Sequence, residues 1–302
     1  MGTVPFFLRR IRQLLEMIRF SHTLFALPFA LLAGAMAWAA NLRDIPPITL
    51  GAREAAGIVL SMIFARSAAM ALNRLVDRHL DADNPRTQGR HLPTGTLSVA
   101  CVATFTAVCS VGFVGSTLLF LPRNPIPIVA AVPVLAFLFG YSYAKRFTWL
   151  AHFWLGAALM AAPVGAWVAL RPQFAWAPLV VGAAVLFWVA GFDIIYACQD
   201  VAFDIERRLH AIPARFGVVA ALRIAALCHL AMVLLLAILP LVYAGFSTIY
   251  LLGIAAMACL LAYEHWLVRP DDLTRVNRAF FHVNTMVSVG LFLIGLVSLL
   301  MH

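Results

Sequence analysis

Residues 176–204 read WAPLVVGAAVLFWVAGFDIIYACQDVAFD, an apolar stretch that ends in a group of aspartates. Between Trp176 and Gln199 the only charged side chain is Asp193. A helix needs about 20 consecutive apolar residues to cross the hydrocarbon core of a bilayer. The stretch therefore predicts a transmembrane helix whose end carries carboxylates.

The composition of the whole chain is that of a membrane protein. Of its 302 residues, 63% are hydrophobic and 12% are charged, and the mean hydropathy is +0.93. A soluble domain carries about 25% charged residues, so this chain has too few for a water-facing surface. The formal net charge is +9, but the arginines lie in short gaps between apolar runs, so we expect no nucleic-acid partner. The five cysteines lack the paired spacing of a disulfide framework or a zinc site.

The same criterion predicts an all-α, polytopic membrane protein with nine transmembrane helices. The candidate spans are 20–40, 55–76, 97–120, 126–144, 149–170, 176–199, 218–243, 247–268 and 279–300. No linker rich in Gly, Ser or Pro divides the sequence. We therefore expect a single domain over residues 1–302.

The basic residues predict the orientation of these spans. With nine spans, 17 of the 22 Lys and Arg residues fall on the side that holds the N-terminus, four fall on the other side, and Arg66 lies within a span. Cytoplasmic loops carry the excess of Lys and Arg, so the crowded side is predicted to be cytoplasmic. The expected location is the cytoplasmic (inner) membrane, with the N-terminus and the aspartate groups inside and His302 outside.

The carboxylates are concentrated in two places along the chain. They are Asp77, Asp81 and Asp83 in the first, and Asp193, Asp200, Asp204 and Glu206 in the second. Residues four apart share a helix face, so Asn73, Asp77 and Asp81 are predicted to form one stripe, and Asp200 and Asp204 another.

Stacked carboxylates repel each other unless a cation neutralises them. Mg²⁺ prefers oxygen ligands and takes one or two carboxylates together with phosphate oxygens. Two facing stripes would therefore bind a diphosphate through Mg²⁺. The alternative is that these are solvated loop acids, paired with arginines such as Arg74, Arg78, Arg207 and Arg208.

Two charges lie deeper than these stripes. Arg66 precedes Asn73 by seven residues, and Asp193 precedes Asp200 by seven, which places each about two turns further into the membrane. A charge within a span usually faces a cavity or a partner. We expect a pocket that reaches from the cytoplasmic side into the bilayer, and the alternative is a structural ion pair between Arg66 and Asp193.

Three segments of the chain match the motifs of a known family. They are Arg66-Ser67-Ala68-Ala69-Met70-Ala71-Leu72-Asn73-Arg74-Leu75-Val76-Asp77-Arg78-His79-Leu80-Asp81 with the following Asn84-Pro85-Arg86-Thr87 and Arg90-His91-Leu92-Pro93-Thr94-Gly95, then Tyr143-Ala144-Lys145-Arg146-Phe147-Thr148, and Asp193-Ile194-Ile195-Tyr196-Ala197-Cys198-Gln199-Asp200-Val201-Ala202-Phe203-Asp204. The first and third closely resemble the two aspartate-rich motifs of the UbiA-type intramembrane prenyltransferases, and the second is similar to the family's basic segment after helix 4. The resemblance covers the whole chain.

The resemblance implies nine helices around a central cavity whose cytoplasmic mouth binds an isoprenyl diphosphate through two Mg²⁺ ions. It implies that Asp77 and Asp81 hold one ion, that Asp200 and Asp204 hold the other, and that Asn73 orients the diphosphate.

The other implied site residues are Arg66, Lys145, Arg146, Asp193 and Tyr196. Arg66, Lys145 and Arg146 would bind the diphosphate or the carboxylate of an acceptor. The second motif of the family often has a lysine where this chain has Gln199. Part of the charge compensation for the diphosphate must then come from elsewhere.

The predicted activity is that of a Mg²⁺-dependent aromatic polyprenyltransferase of quinone biosynthesis. It would transfer a polyprenyl chain from polyprenyl diphosphate to the ring of a hydroxylated aromatic acid. The segments Ile18–Ala30 and Phe192–Asp204 are similar to those of bacterial members that act on 4-hydroxybenzoate or on a dihydroxynaphthoate-type acid. The residues do not separate these two acceptors. The alternatives are prenylation of a haem or chlorophyll precursor, or a secondary transporter, which the grouping of the acids at one mouth argues against.

Overall fold

The computed structural model describes residues 6–19, 26–42, 51–273, 275–276 and 282–301, without the side chains of residues 6 and 7. Within these ranges the chain is helical, and no strand is present apart from one isolated bridge between Arg269 and Asp272. The helices are α1 (Phe6–Met17), α2 (Leu27–Leu42), α3 (Ala52–Val76), α4 (Arg78–Asp83), α5 (Val99–Thr117), α6 (Ile126–Ala144), α7 (Ala151–Leu170), α8 (Trp176–Ala197), α9 (Val201–Glu206), α10 (Ile212–Phe216), α11 (Val218–Val242), α12 (Thr248–Leu267) and α13 (Asn284–Leu300). The all-α prediction is confirmed.

Seven of the described helices, namely α3, α5, α6, α7, α8, α11 and α12, are long and apolar enough to cross a membrane. The apolar helices α2 and α13 have 16 and 17 residues and are shorter than this criterion. Their predicted spans, 20–40 and 279–300, both begin outside the described residues. Seven spans are therefore supported by helix length, and the count of nine stays a prediction.

Helix α8 is the centre of the molecule. It packs along its length against α7 and α11, and most of its side chains are buried. The main apolar core surrounds it and includes Phe29 of α2, Trp188 of α8 and Tyr250 of α12. Helix α8 is thus more enclosed by protein than the other six helices that are long enough to cross a membrane.

Helices α7 and α8 approach each other closely at Gly156. A Cβ atom at Gly156 would collide with the backbone carbonyl of Leu186. Gly156 therefore permits a separation that no larger residue would allow. His152 lies one turn before Gly156 and Asp193 lies two turns after Leu186, so both side chains face this contact.

Both aspartate motifs lie where a long helix ends. α3 ends at Val76, Asp77 caps it by donating its N–H to the Asn73 carbonyl, and α4 begins at Arg78. α8 passes through a 3₁₀ turn at Cys198–Asp200 before α9 begins. Within each predicted stripe the chain thus turns, at Asp77 in the first motif and at Cys198–Asp200 in the second.

Candidate active site

A polar cavity of about 220 Å³ lies at the ends of α3, α6 and α8. Its lining includes the carboxylates of both motifs and the deeper acid, namely Asp77, Asp81, Asp193, Asp200 and Asp204. Asn73, Lys145 and Tyr196 also line it. The turns after α3 and α8 thus bring two sequence-distant groups of acids to one cavity.

The carboxylate of Asp77 accepts hydrogen bonds from two side chains. Asn73 Nδ2 donates to Asp77 Oδ2 at 3.0 Å, and Arg146 Nη2 donates to Asp77 Oδ1 at 3.0 Å. The same Arg146 also bonds to the Val76 and Ser142 carbonyls. Burial raises the pKa of Asp77, and the positive charges of Arg146 and Lys145 oppose that shift without cancelling it.

Asp81 is buried at the end of α4 and is held by the following loop. Arg90 Nη1 donates to Asp81 Oδ1 at 2.6 Å, and Thr87 Oγ1 donates to the Asp81 backbone carbonyl at 3.0 Å. The other carboxylate oxygen, Oδ2, is buried and has no hydrogen-bond partner in the described part of the chain. A buried anionic oxygen without a partner is costly and suits a cation.

Asp200 is bound by the loop that follows the first motif. Arg86 contacts both of its oxygens, with Nε donating to Oδ1 at 2.8 Å and Nη2 donating to Oδ2. Asn84 Nδ2 donates to Oδ1 at 3.1 Å, and Arg86 Nη1 donates to the Tyr196 hydroxyl at 2.7 Å. This bidentate arrangement ties the two motifs together across the cavity.

Asp204 differs from the other three motif aspartates in that no arginine binds it in the part of the chain that the structure describes. It is 3% exposed, and among the residues that the structure describes its Oδ2 accepts no hydrogen bond. Lys145 lies near it at the end of α6. Burial lowers the pKa of Lys145, but the negative charges of Asp204, Asp193, Asp200 and Asp77 raise it by more, so that its pKa is raised overall and the ammonium stays charged.

These residues fit Mg²⁺ that is shared with a bound phosphate. Across the described ranges, no group of three or more His, Cys, Asp or Glu is placed to hold a metal ion by itself. Mg²⁺ usually takes only one or two carboxylates and completes its shell with phosphate oxygens and water. The two unpartnered buried oxygens, on Asp81 and Asp204, supply such ligands on the two motifs.

An apolar cavity, also of about 220 Å³, adjoins the polar one between α3, α5, α6 and α7. The two cavities share the residues Arg66, Met70, Asn73, Tyr141, Leu155 and Leu159. The predicted pocket that reaches from the polar mouth into the membrane region is thus present as two adjoining cavities.

Arg66 lies at the junction of these cavities. Its Nε is buried and has no hydrogen-bond partner in the ranges given above. Asp193 instead contacts His152, with the imidazole Nδ1 2.7 Å from Asp193 Oδ2. The alternative of a structural ion pair between Arg66 and Asp193 is therefore wrong, because His152 holds the carboxylate.

The alternative, in which Arg74, Arg78 and Arg208 pair with the acids, does not describe three of the motif aspartates, which other arginines bind. Of the arginines named in that alternative, Arg207 binds Asp83 at 3.0 Å, and both side chains are over 40% exposed. Asp83 is thus a solvated loop acid.

Sequence reasoning gave no role to Arg86, Arg90, Asn84 and His152. The first three lie in the quoted motif. The signal for Arg86 and Arg90 was their four-residue spacing directly after the aspartates. Arg86 and Arg90 contribute positive charge to the cavity. They can supply the charge compensation for a diphosphate that a lysine would give at the position of Gln199. His152 carried no comparable signal, since a lone histidine at the start of an apolar span is usually a packing or interfacial residue.

Two groups of aspartates thus lie at helix ends, at the polar mouth of an apolar cavity. A sequence match over most of the chain accompanies this arrangement. Residues 24–286 match the model of the UbiA prenyltransferase family. The chain belongs to this family. Family membership favours a transferase over a secondary transporter.

Two relatives of this UbiA family member carry the same name. A protein of Aromatoleum aromaticum is 32% identical over 251 residues, which are 81% of this chain and 80% of the relative. A protein of Nitrosomonas eutropha is 31% identical over 241 residues, 76% of this chain and 79% of the relative. Both are named 4-hydroxybenzoate octaprenyltransferase.

Solved structures of UbiA homologues share the fold. A homologue from Aeropyrum pernix superposes with a TM-score of 0.78 at 29% identity, covering 92% of this chain and 97% of that one. A homologue from Archaeoglobus fulgidus, solved with DMAPP and Mg²⁺ bound, superposes with a TM-score of 0.66 at 18% identity, covering 96% of this chain and 100% of that one. The helix arrangement is therefore that of the family.

Proposed function

We propose that this protein transfers a polyprenyl group from polyprenyl diphosphate to the ring of 4-hydroxybenzoate, for ubiquinone synthesis, and releases diphosphate. The observation that carries the proposal is the convergence of four motif aspartates on a polar cavity that adjoins an apolar one. Such a cavity pair suits a substrate with a charged head and a long apolar tail. The names of the curated relatives support 4-hydroxybenzoate as the acceptor.

Two Mg²⁺ ions would be held by the motif aspartates, one by Asp77 and Asp81 and the other by Asp200 and Asp204. Bound Mg²⁺ neutralises the negative charge that develops on a departing diphosphate. Asn73 would orient the diphosphate. The unpartnered oxygens of Asp81 and Asp204 support this assignment.

The chain's own cations complete the diphosphate site. Lys145, Arg86 and Arg90 line the polar cavity, and Arg146 reaches Asp77 beside it. Fixed positive charges in a cavity that excludes water stabilise a developing anion better than water does. Arg66, at the junction with the apolar cavity, binds the diphosphate or the carboxylate of the acceptor.

Tyrosine rings would stabilise an allylic cation formed when diphosphate departs. Tyr141 lines both cavities and Tyr196 lines the polar one. Ring faces attract cations by their quadrupole. The apolar walls formed by α3, α5, α6 and α7 keep water from the cation and hold the polyprenyl tail.

The active site faces the cytoplasm in this proposal. The protein is a multi-pass, single-domain component of the cytoplasmic membrane, and both aspartate motifs lie on the side that carries most of the Lys and Arg residues. The aromatic acid and Mg²⁺ are both water-soluble, and they would then enter from the cytoplasm.

The test is a reaction in membranes that contain the purified protein, with radiolabelled polyprenyl diphosphate, Mg²⁺ and either 4-hydroxybenzoate or a dihydroxynaphthoate. We expect labelled prenyl-4-hydroxybenzoate and diphosphate in equal amounts, and no product in EDTA. Membranes with Asp204→Asn protein are the matched control and should form no product. The proposed acceptor would be overturned if product formed with the dihydroxynaphthoate and not with 4-hydroxybenzoate. It would also be overturned if diphosphate were released without a prenylated acid.

A further inference from the structure

Helix α1 packs against the helical bundle through one of its sides. Met17, and Ile18 directly after the helix, are buried in an apolar cluster with Ala71 of α3 and Val102 of α5. Ala71 lies within two turns of the end of α3, and Val102 lies in the first turn of α5. Both α3 and α5 are long enough to cross a membrane. Helix α1 therefore lies beside the ends of two predicted spans, at the level where a bilayer meets water.

The second side of α1 is apolar and exposed. Leu8, Ile11 and Leu15 are 53%, 37% and 39% exposed. Their spacing of three and four residues places them in one stripe along the helix. Apolar surface is unfavourable in water, so this stripe favours a partner that removes it from water.

The third side of α1 is charged. It carries Arg9, Arg12 and Glu16, which are all exposed. Arg12 Nε donates to Glu16 Oε1 at 2.7 Å, but so exposed an ion pair contributes little and does not keep Arg12 from other anions. Residues 8–19 contain four arginines and one glutamate, so the segment carries three surplus positive charges.

These two exposed sides fit the surface of a membrane that contains anionic lipids. An amphipathic helix lies in such a surface with its apolar stripe at the boundary between head groups and acyl chains, and its arginines extend to the lipid phosphates. Three apolar side chains are too few for a stable protein interface, which buries about 800 Å² on each partner. The location of α1 beside the ends of α3 and α5 also favours a lipid partner.

Helix α1 also contacts the loop between α4 and α5. Arg10 Nη1 donates to the Thr96 carbonyl at 2.9 Å. Glu16 Oε2 lies 3.8 Å from Nε2 of His91, which follows Arg90 in the sequence. The same loop supplies the arginines that bind one aspartate of each motif. Whatever holds α1 in place thus also holds this loop.

We propose that α1 is a surface anchor that binds anionic phospholipids at the end of the bundle with the aspartate motifs, and that the bound lipids stabilise the loop between α4 and α5. Leu8, Ile11 and Leu15 insert among the acyl chains. Arg9 and Arg12 bind the lipid phosphates. The anchor adds no step to the proposed reaction, and neither of the following measurements requires turnover.

Spin labels test the position of the apolar stripe. Ile11→Cys, Leu15→Cys and Arg9→Cys are each made in protein whose two cysteines that are not buried, Cys101 and Cys259, are changed to Ser. Each variant is labelled with a nitroxide and reconstituted in nanodiscs of phosphatidylcholine and phosphatidylglycerol. We expect the labels at 11 and 15 to be relaxed mainly by O₂, which concentrates in the bilayer. The label at 9 should be relaxed mainly by a water-soluble nickel chelate.

Two outcomes would overturn the anchor. Labels at 11 and 15 that respond mainly to the nickel chelate would place the stripe in water. Labels there that are shielded from both reagents would show that protein, such as a second copy of this chain, covers the stripe.

Hydrogen exchange of residues 84–97 tests the role of the anionic lipid. It is compared in nanodiscs of phosphatidylcholine with and without phosphatidylglycerol, and we expect slower exchange in the wild-type loop when phosphatidylglycerol is present. One arginine near an anionic surface contributes about fivefold in affinity. Arg9→Gln with Arg12→Gln should therefore bind the lipid about 25-fold more weakly and lose most of the slowing. Arg9→Lys with Arg12→Lys keeps the charge and should keep the slowing.

Arg208→Gln with Arg223→Gln is the matched control. It removes the same charge from exposed positions after α9 and on α11, and it should respond to phosphatidylglycerol as the wild type does. A wild-type loop that is insensitive to this lipid contradicts the proposal. So does an equal loss of the response in both glutamine variants, which would mean that the lipid acts through total charge and not through α1.

Discussion

Arginines hold three of the four motif aspartates. Arg146 binds Asp77, Arg90 binds Asp81 and Arg86 binds Asp200. These ion pairs lower the repulsion among carboxylates that the fold crowds into one cavity. The pairs also explain how the site folds before any metal ion or diphosphate is bound.

The four motif aspartates should each be needed for turnover. Changing any one of Asp77, Asp81, Asp200 or Asp204 to Asn removes a proposed Mg²⁺ ligand, and we expect turnover to fall about 100-fold or more. Asp83→Asn is the matched control, because Asp83 lies in the same segment but forms only an exposed pair with Arg207. Turnover is measured in membranes against the amount of folded protein. Full activity of Asp77→Asn or Asp204→Asn, or of wild type in EDTA, contradicts the two-metal assignment.

Arg66 should matter for turnover more than for folding. Arg66→Lys keeps the charge but loses the planar donor geometry, so we expect turnover to fall roughly 10- to 100-fold, about 1.4–2.7 kcal/mol. Arg66→Ala should lose more turnover. Because Asp193 is bound by His152 and not by Arg66, neither change should lower the melting temperature in detergent by much.

The exposed Arg223 of α11 is the control for this experiment, and Arg223→Lys should leave both quantities unchanged. An Arg66→Ala protein that melts early yet turns over at the wild-type rate per folded molecule would show a structural role.

Among the helices, the α7–α8 contact has the greatest influence on the site. α8 carries the second aspartate motif and Asp193, and α7 carries His152. Gly156 sets the distance between the two helices, because a Cβ there would meet the Leu186 carbonyl. Packing at one glycine therefore controls a side-chain contact one turn away.

Gly156→Ala should destabilise the protein by about 1–3 kcal/mol, the usual cost of overpacking a close contact. Thermal unfolding in detergent measures this change. Gly165→Ala on the same helix is the matched control, since a Cβ there meets nothing within 4 Å among the described residues. Alanine favours a helix over glycine by up to about 1 kcal/mol, so the control should be neutral or stabilising. Equal melting temperatures of the two variants would contradict the close-contact argument.

At the scale of the whole molecule, charge separates the two ends of the helical bundle. The end with the aspartate motifs carries Arg74, Arg86, Arg90, Lys145 and Arg146. At the opposite end Arg123 binds Glu54 at 3.3 Å and Arg171 donates to Asn41 Oδ1 at 2.8 Å. More of the Lys and Arg residues thus lie at the motif end, as expected of the cytoplasmic side.

The orientation predicts where fused reporters work. His302 lies outside the described residues, but with nine spans a phosphatase fused after it should be exported and active. A green fluorescent protein fused at the same place should be dark. If instead the green fluorescent protein fusion were fluorescent and the phosphatase fusion inactive, the number of spans would be even.

The sequence alone determined the helical class, the approximate spans and the acids that line the site. These follow from local properties, since about 20 apolar residues in a bilayer must form a helix and a four-residue spacing of carboxylates is visible in any one segment. The boundaries of α3, α6, α7 and α8 lie within a few residues of the predicted spans.

Only the tertiary structure decided which partner each charged side chain has. Arg86 meets Asp200 and His152 meets Asp193 across 114 and 41 residues of sequence. Local sequence patterns also did not predict that each motif helix breaks at its aspartates. Nor did they predict that Arg66 and Asp193 form no pair among the described residues. Such contacts depend on how closely helices pack, as at Gly156, and the free energy of that packing is shared among residues far apart in the chain.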